Sequence, residues 1–173
     1  MSISGWSFGG VVAFELAGRL NNLGYKIENL YIIDSPFPVN ILPLGDEEFD
    51  ELCRRLDAKF EKSLASRKQA SHSSLRKVLD NIKKHFKACS ISIENFTTAY
   101  RDQNAFEPPL STFIIHATTN IHFKSIATNN PEQWRALFQP DANINFCEID
   151  ADHFTLMMEN IGAQKVADIF SMG

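Results

Sequence analysis

The sequence predicts a single α/β domain on a mostly parallel sheet with a helical insertion, and three observations predict it. Short Ile-, Tyr- and Phe-rich runs alternate with amphipathic helical stretches, the order that builds a parallel sheet covered by helices. From Glu47 to about Asp102 that alternation gives way to a polar, helical pattern. A glycine-X-serine-X-glycine turn, Gly5, Trp6, Ser7, Phe8 and Gly9, joins the first apolar run to the first helical one. A strand feeding a helix through such a turn is the setting that gives the pattern its meaning.

The 173 residues lie in the single-domain range. A formal net charge of -4 gives no basic surface for nucleic acid. Cys53, Cys89 and Cys147 are odd in number and far apart, so neither a disulfide framework nor a zinc site is expected, and a reducing cytoplasm fits best. Glu15 and Arg19 interrupt the N-terminal apolar stretch, and no basic segment precedes it. A signal peptide or membrane span is therefore not expected.

The elements follow in order. Gly9 to Leu23 reads as a helix that stops at the Asn21, Asn22 and Gly24 cluster. Ile27 to Asp34 reads as a buried strand, ended by Pro36 and Pro38. In the insertion, Phe49, Leu52, Cys53, Leu56 and Phe60 mark one helix face, and Leu75, Val78, Leu79, Ile82 and Phe86 mark a second. The serine-rich run from Ser63 to Ser74 lies between them as a joint. Strand character returns at Ser111 to Thr118 and again at Ile144 to Asp150, with a short helix around Trp134 between them and a last helix from Ile161 to Phe170.

Serine attacks poorly at neutral pH unless a base removes its proton and donors meet the oxyanion that develops. The turn predicts that Ser7 is exposed and strained, that Gly5 and Gly9 leave room where side chains would collide, and that the Phe8 amide faces the developing charge. The helix N-terminus adds partial positive charge.

The base is expected just after a late strand, where His153 stands before Phe154; His72 and His85 lie in the insertion, His116 within a strand and His122 in the loop after it. The acid that orients the imidazole is expected at Asp34, which ends the strand after the nucleophile helix; the corresponding position after the next strand reads HATTN and holds no carboxylate. Asp152 is a weaker alternative, because adjacent side chains on a loop rarely face each other. The order serine, aspartate, histidine is that of an α/β-hydrolase.

With GWSFGG and the following VVAFELAGRL, LYIIDSPFP, the helical insertion and DHFTLM assembled, the chain resembles the thioesterase domains of nonribosomal peptide and polyketide synthases. The resemblance implies a partial α/β-hydrolase fold over residues 1–173, the C-terminal portion of such a domain, with a lid at about 46–107. It implies Ser7 as nucleophile, His153 as base, Asp34 as acid and the Phe8 amide as one oxyanion donor. The implied partner is an acyl or peptidyl carrier protein, and the implied substrate is the acyl or peptidyl thioester on its phosphopantetheine, with no cofactor bound directly. Arg76, Lys77, Lys83, Lys84 and Lys87 would then meet an acidic carrier.

A complete domain of that family has further strands before the serine turn, so the resemblance also implies an open edge at the first strand. A second copy of the chain, or an N-terminal half, would cover it. Fold alone does not fix substrate. A carboxylesterase or lipase, and a noncatalytic module that binds a partner, stay open as alternatives.

Overall fold

The computed structural model describes residues 1–38, 45–65, 77, 80–85, 87–89, 91–92, 111–119, 130–158 and 160–173. Two compact units divide the chain, Met1–Ile41 with Tyr100–Gly173, and Leu42–Ala99.

The first unit carries four strands, β1 (Ser2–Trp6), β2 (Asn29–Ile33), β3 (Ser111–Thr119) and β4 (Ile144–Asp152), in the spatial order β1-β2-β3-β4. All three pairings are parallel. Among the described residues β1 has one neighbour, so its other side is a sheet edge. Every residue of β2 is buried, which explains why its sequence, NLYII, is a nearly continuous apolar run; strands of a parallel sheet covered on both faces show no alternation.

The pleat sends Tyr31, Ile33, Phe113, Ile115, Ala117 and Ile149 to one face. There Leu156, Val166 and Ile169 pack on them, carried by a single helical turn, Thr155–Met158, and the C-terminal helix, Asn160–Phe170. The opposite face is left for α1 (Phe8–Asn22) and a 3-10 helix (Pro131–Leu137). Phe14 of α1 meets Trp134 and Phe138 edge to face, with ring centroids 5.6 and 5.3 Å apart. The α1 pattern therefore buries Val11, Phe14 and Ala17, and the helix stops at Gly24, whose φ of 86° suits glycine at a helix end.

The short helix expected around Trp134 is 3-10 in form. Asn130 caps it by accepting the Glu132 N–H at 2.9 Å, and a proline stands at its start.

In the second unit α2 (Asp46–Ala65) runs into the first residues of the serine-rich stretch, and Asp46, Glu47 and Glu48 occupy its first turn, where the helix dipole favours negative charge. The rest of that stretch, with His72, Leu75 and Arg76, lies outside the described residues, as do Val78, Leu79, Phe86 and His122. Residues 80–85 and 87–89 are helical. Among the described basic residues, Lys83 and Lys87 are engaged by acidic partners. Lys83 binds both oxygens of Asp57 at 2.9 Å, and Lys87 lies 3.7 Å from Asp46 and over the Phe49 ring.

Candidate active site

The site is built where β1, β2 and β4 end. Ser7, Asp34 and His153 each follow directly on the last residue of a strand, and in a parallel sheet those ends share one edge. The ladder register pairs Trp6 with Ile33. The next residues continue it: the Ser7 N–H donates to the Ile33 carbonyl at 2.9 Å and the Asp34 N–H to the Ile115 carbonyl at 2.6 Å.

Ser7 has φ 56° and Asp34 has φ 42°, and among the described residues only these two depart to positive φ without being glycine. Such backbone costs of order 1–3 kcal/mol and persists where surrounding structure over-determines it. At Ser7 the cause is the abrupt change from β1 to α1, which begins at the next residue. Phe8 thus supplies one of the amides that a helix start leaves without an intrahelical acceptor.

The glycines of the turn divide differently from expectation. A side chain at Gly5 would collide with the backbone of Gly9 and Gly10, so Gly5 is required for the strand and helix to approach. Gly9, by contrast, faces open space, and the second required glycine is Gly10, where a Cβ would strike the Ser35 side chain. The motif pairs Gly5 with Gly9, whereas the contact that matters at Gly10 comes from a residue distant in sequence. Gly5→Ala is accordingly expected to lower the thermal midpoint by on the order of 10 °C, since overpacking against backbone has no flexible group to yield. Gly9→Ala is expected to stay within a few degrees of the parent, about the scale of helix propensity alone. Equal losses in the two variants overturn this division.

His153 is held on three sides. Its Nδ1 lies 2.7 Å from Asp34 Oδ2, Trp6 stacks on its ring at 5.0 Å and 26°, and the buried Phe154 meets it edge-on at 5.2 Å. The residue before Ser7 therefore touches the histidine directly. Asp152 has a different role from the alternative considered for it. Its Oδ1 accepts the N–H groups of Phe154 and Thr155 at 2.9 and 3.1 Å, starting the helical turn that follows, while Asp34 takes the imidazole.

Asp34 is deeply buried, its side chain 9% exposed. Burial works to raise its pKa, but hydrogen bonds from His116, His153 and the Ala117 amide outweigh that and hold the carboxyl far below the ordinary carboxylate range. The Ala117 N–H reaches Oδ1 at 3.0 Å, and His116 Nδ1 lies 3.2 Å from the same oxygen. In the sequence His116 reads only as a strand residue. No local sequence signal marks it: it flanks Asp34 because β3 runs on past Ile115, the residue paired with Ile33.

His85 is exposed on the helical residues of the second unit. Cys53, Cys89 and Cys147 are all free thiols, and burial pushes each of them up. Among the described residues no cluster of three or more His, Cys, Asp or Glu could hold a metal, and no helix is long and apolar enough to cross a membrane.

The profile of the Thioesterase domain family matches residues 2–171. Over 45 residues the chain is 47% identical to the non-reducing polyketide synthase terA of Aspergillus terreus, which is 26% of this chain and 2% of that protein. Over 43 residues it is 51% identical to the orsellinic acid synthase armB of Armillaria mellea, 25% of this chain and 2% of that one. The chain thus spans only a small part of these curated relatives.

Among solved structures, the RedJ thioesterase of the prodiginine pathway in Streptomyces coelicolor superposes with a TM-score of 0.67 at 16% identity, over 99% of this chain and 62% of that one. The Vlm2 thioesterase domain superposes with a TM-score of 0.55 at 19% identity, over 99% and 63%. At these identities the likeness carries the fold, and the profile carries the family. The chain belongs to the Thioesterase domain family, with the α/β-hydrolase type of fold found in the thioesterases of nonribosomal peptide and polyketide synthases.

Proposed function

We propose that the chain is an acyl-serine thioesterase that releases an acyl or peptidyl chain from the phosphopantetheine arm of a carrier protein. One observation carries the reading: the 2.7 Å contact between Asp34 and His153, both placed one residue beyond a strand end beside the Ser7 turn. The family membership and the named polyketide synthase relatives support the substrate class.

In this reading Asp34, ionised at neutral pH, accepts a hydrogen bond from His153 Nδ1–H, which keeps the proton on Nδ1 and leaves Nε2 as the base. Ser7 Oγ attacks the thioester carbonyl as Nε2 takes its proton, and the oxyanion is met by the Phe8 N–H. The C–S bond breaks, and the departing sulfur takes the proton from Nε2. Water then attacks the serine ester, passes its proton to Nε2, and releases the acid as Ser7 recovers its own. The unit Leu42–Ala99 corresponds to the insertion at about 46–107, and we assign it the role of the lid. Of the basic residues suggested for carrier docking, Lys77 and Lys84 are exposed and remain suited to it, whereas Lys83 serves Asp57.

The test compares a carrier-bound acyl thioester with a simple p-nitrophenyl ester of the same acyl group. The expected result is a kcat/KM at least about tenfold higher for the carrier substrate, the contribution of one favourable charge contact or more. Equal values make the chain a general esterase. Turnover of neither, with no covalent labelling of Ser7, makes it a binding module.

A further inference from the structure

Two imidazoles share the carboxylate of Asp34, and the proposed reaction uses only one of them. We propose that His116 is a positioning residue of the triad: it donates its Nδ1 proton to Asp34 Oδ1 and so fixes the carboxylate plane that presents Oδ2 to His153. The proposal rests on the acyl-serine reading above and deepens it.

Three consecutive residues of β3 grip Asp34. The Ile115 carbonyl accepts its backbone N–H at 2.6 Å, the His116 ring lies 3.2 Å from Oδ1, and the Ala117 N–H reaches the same oxygen at 3.0 Å. With the carboxyl held ionised it offers only acceptors, so an imidazole nitrogen at hydrogen-bond distance must carry a proton. Both histidines therefore present Nδ1–H to Asp34, one to each oxygen.

The second donor matters because a carboxylate turns about its terminal bond in a broad, twofold well. A single amide on Oδ1 leaves that rotation softly opposed, and Asp34 already stands on strained backbone at φ 42°. A ring on the same oxygen, 14% exposed and set in a strand, adds a rigid partner. Catalytic groups need such support, because a small misorientation of the acid is passed directly to the base.

Across the sheet the register neighbour of His116 on β4 is Glu148, which is exposed. Among the described residues, the charged or titratable groups at the positions flanking His116 on the neighbouring strands are thus Asp34, just after β2, and Glu148 on β4.

Two variants separate positioning from bulk. His116→Leu keeps an apolar filling without the donor, and His116→Asn places its amide nitrogen where Nδ1 stood. The first readout is the rate of Ser7 labelling by a fluorophosphonate, with thermal midpoints measured alongside. His116→Leu is expected to label on the order of tenfold more slowly, the scale of losing one hydrogen bond to a charged group, and His116→Asn to recover to within about threefold of the parent. Parent-like labelling by His116→Leu, or a folded His116→Asn as slow as His116→Leu, overturns the proposal.

The second readout does not need catalysis: the downfield ring-proton resonance of His153 in the proton NMR spectrum, assigned by its loss in His153→Gln. It is expected to broaden or move upfield in His116→Leu and to return in His116→Asn; no change in His116→Leu overturns the proposal. If the parent fails to label at Ser7 while this resonance behaves as expected, the nucleophile reading fails and the positioning of the Asp34–His153 pair stands.

Discussion

Ser7→Ala is expected to abolish covalent labelling by a fluorophosphonate and to lower thioester turnover on the order of 10⁴-fold or more. In the proposed reaction the hydroxyl is the atom that forms the acyl bond, and no other group in the turn can replace it. Losing one oxygen atom at the start of α1 removes no packing, so the fold and its thermal midpoint are expected to stay near those of the parent. Part of the Ser7 backbone strain is relieved neither by alanine nor by any other residue with a Cβ. Mass spectrometry of the labelled peptide checks the site: a Ser7→Ala protein that labels as fast as the parent places the reactive group elsewhere and removes the triad reading.

The position of that serine was legible because its signals are local. Gly5 and Ser7 lie at fixed spacing between an apolar run and a helical one, and the structure puts Ser7 at the strand-to-helix turn, with the positive φ that such a turn imposes. The meeting of Asp34 with His153 was legible for a related reason. A parallel sheet brings all strand ends to one edge, so residues just beyond the apolar runs are neighbours in space whatever their separation in sequence, here 119 positions.

What the sequence did not show depends on relative strand length and on contacts across elements. His116 flanks Asp34 only because β3 continues four residues beyond the one paired with Ile33, and strand lengths are not set by propensity. Gly10 is needed because Ser35 packs against it, and no local pattern encodes that meeting. The basic residues of the insertion read as one charged face, yet Lys83 is engaged by Asp57 from another helix, since a carboxylate 26 positions away is invisible to a helical-wheel argument.

Asp34→Asn carries the other large effect, on the order of 10⁴-fold in labelling rate, the scale on which loss of the correct imidazole tautomer acts in a serine triad. The Ala117 N–H points at Oδ1, so the asparagine carbonyl must take that place and its NH₂ must take the place of Oδ2. That NH₂ then faces His153 Nδ1, which lay 2.7 Å from the oxygen. To accept from it, Nδ1 must give up its proton, and the neutral ring then carries the proton on Nε2, the atom that the proposed reaction uses as base.

The same substitution separates catalysis from acid stability. Because its folded pKa is depressed, the carboxylate of Asp34 contributes stability that is present above the unfolded value of about 4 and is lost as pH falls from there toward the folded value. Parent stability is therefore expected to decline through that acid range more steeply than that of Asp34→Asn, which has no such group to protonate. Nitrogen-15 spectra of the histidine rings check the tautomer: a proton still on His153 Nδ1 in Asp34→Asn, with labelling within tenfold of the parent, would show that Asp34 does not orient the base.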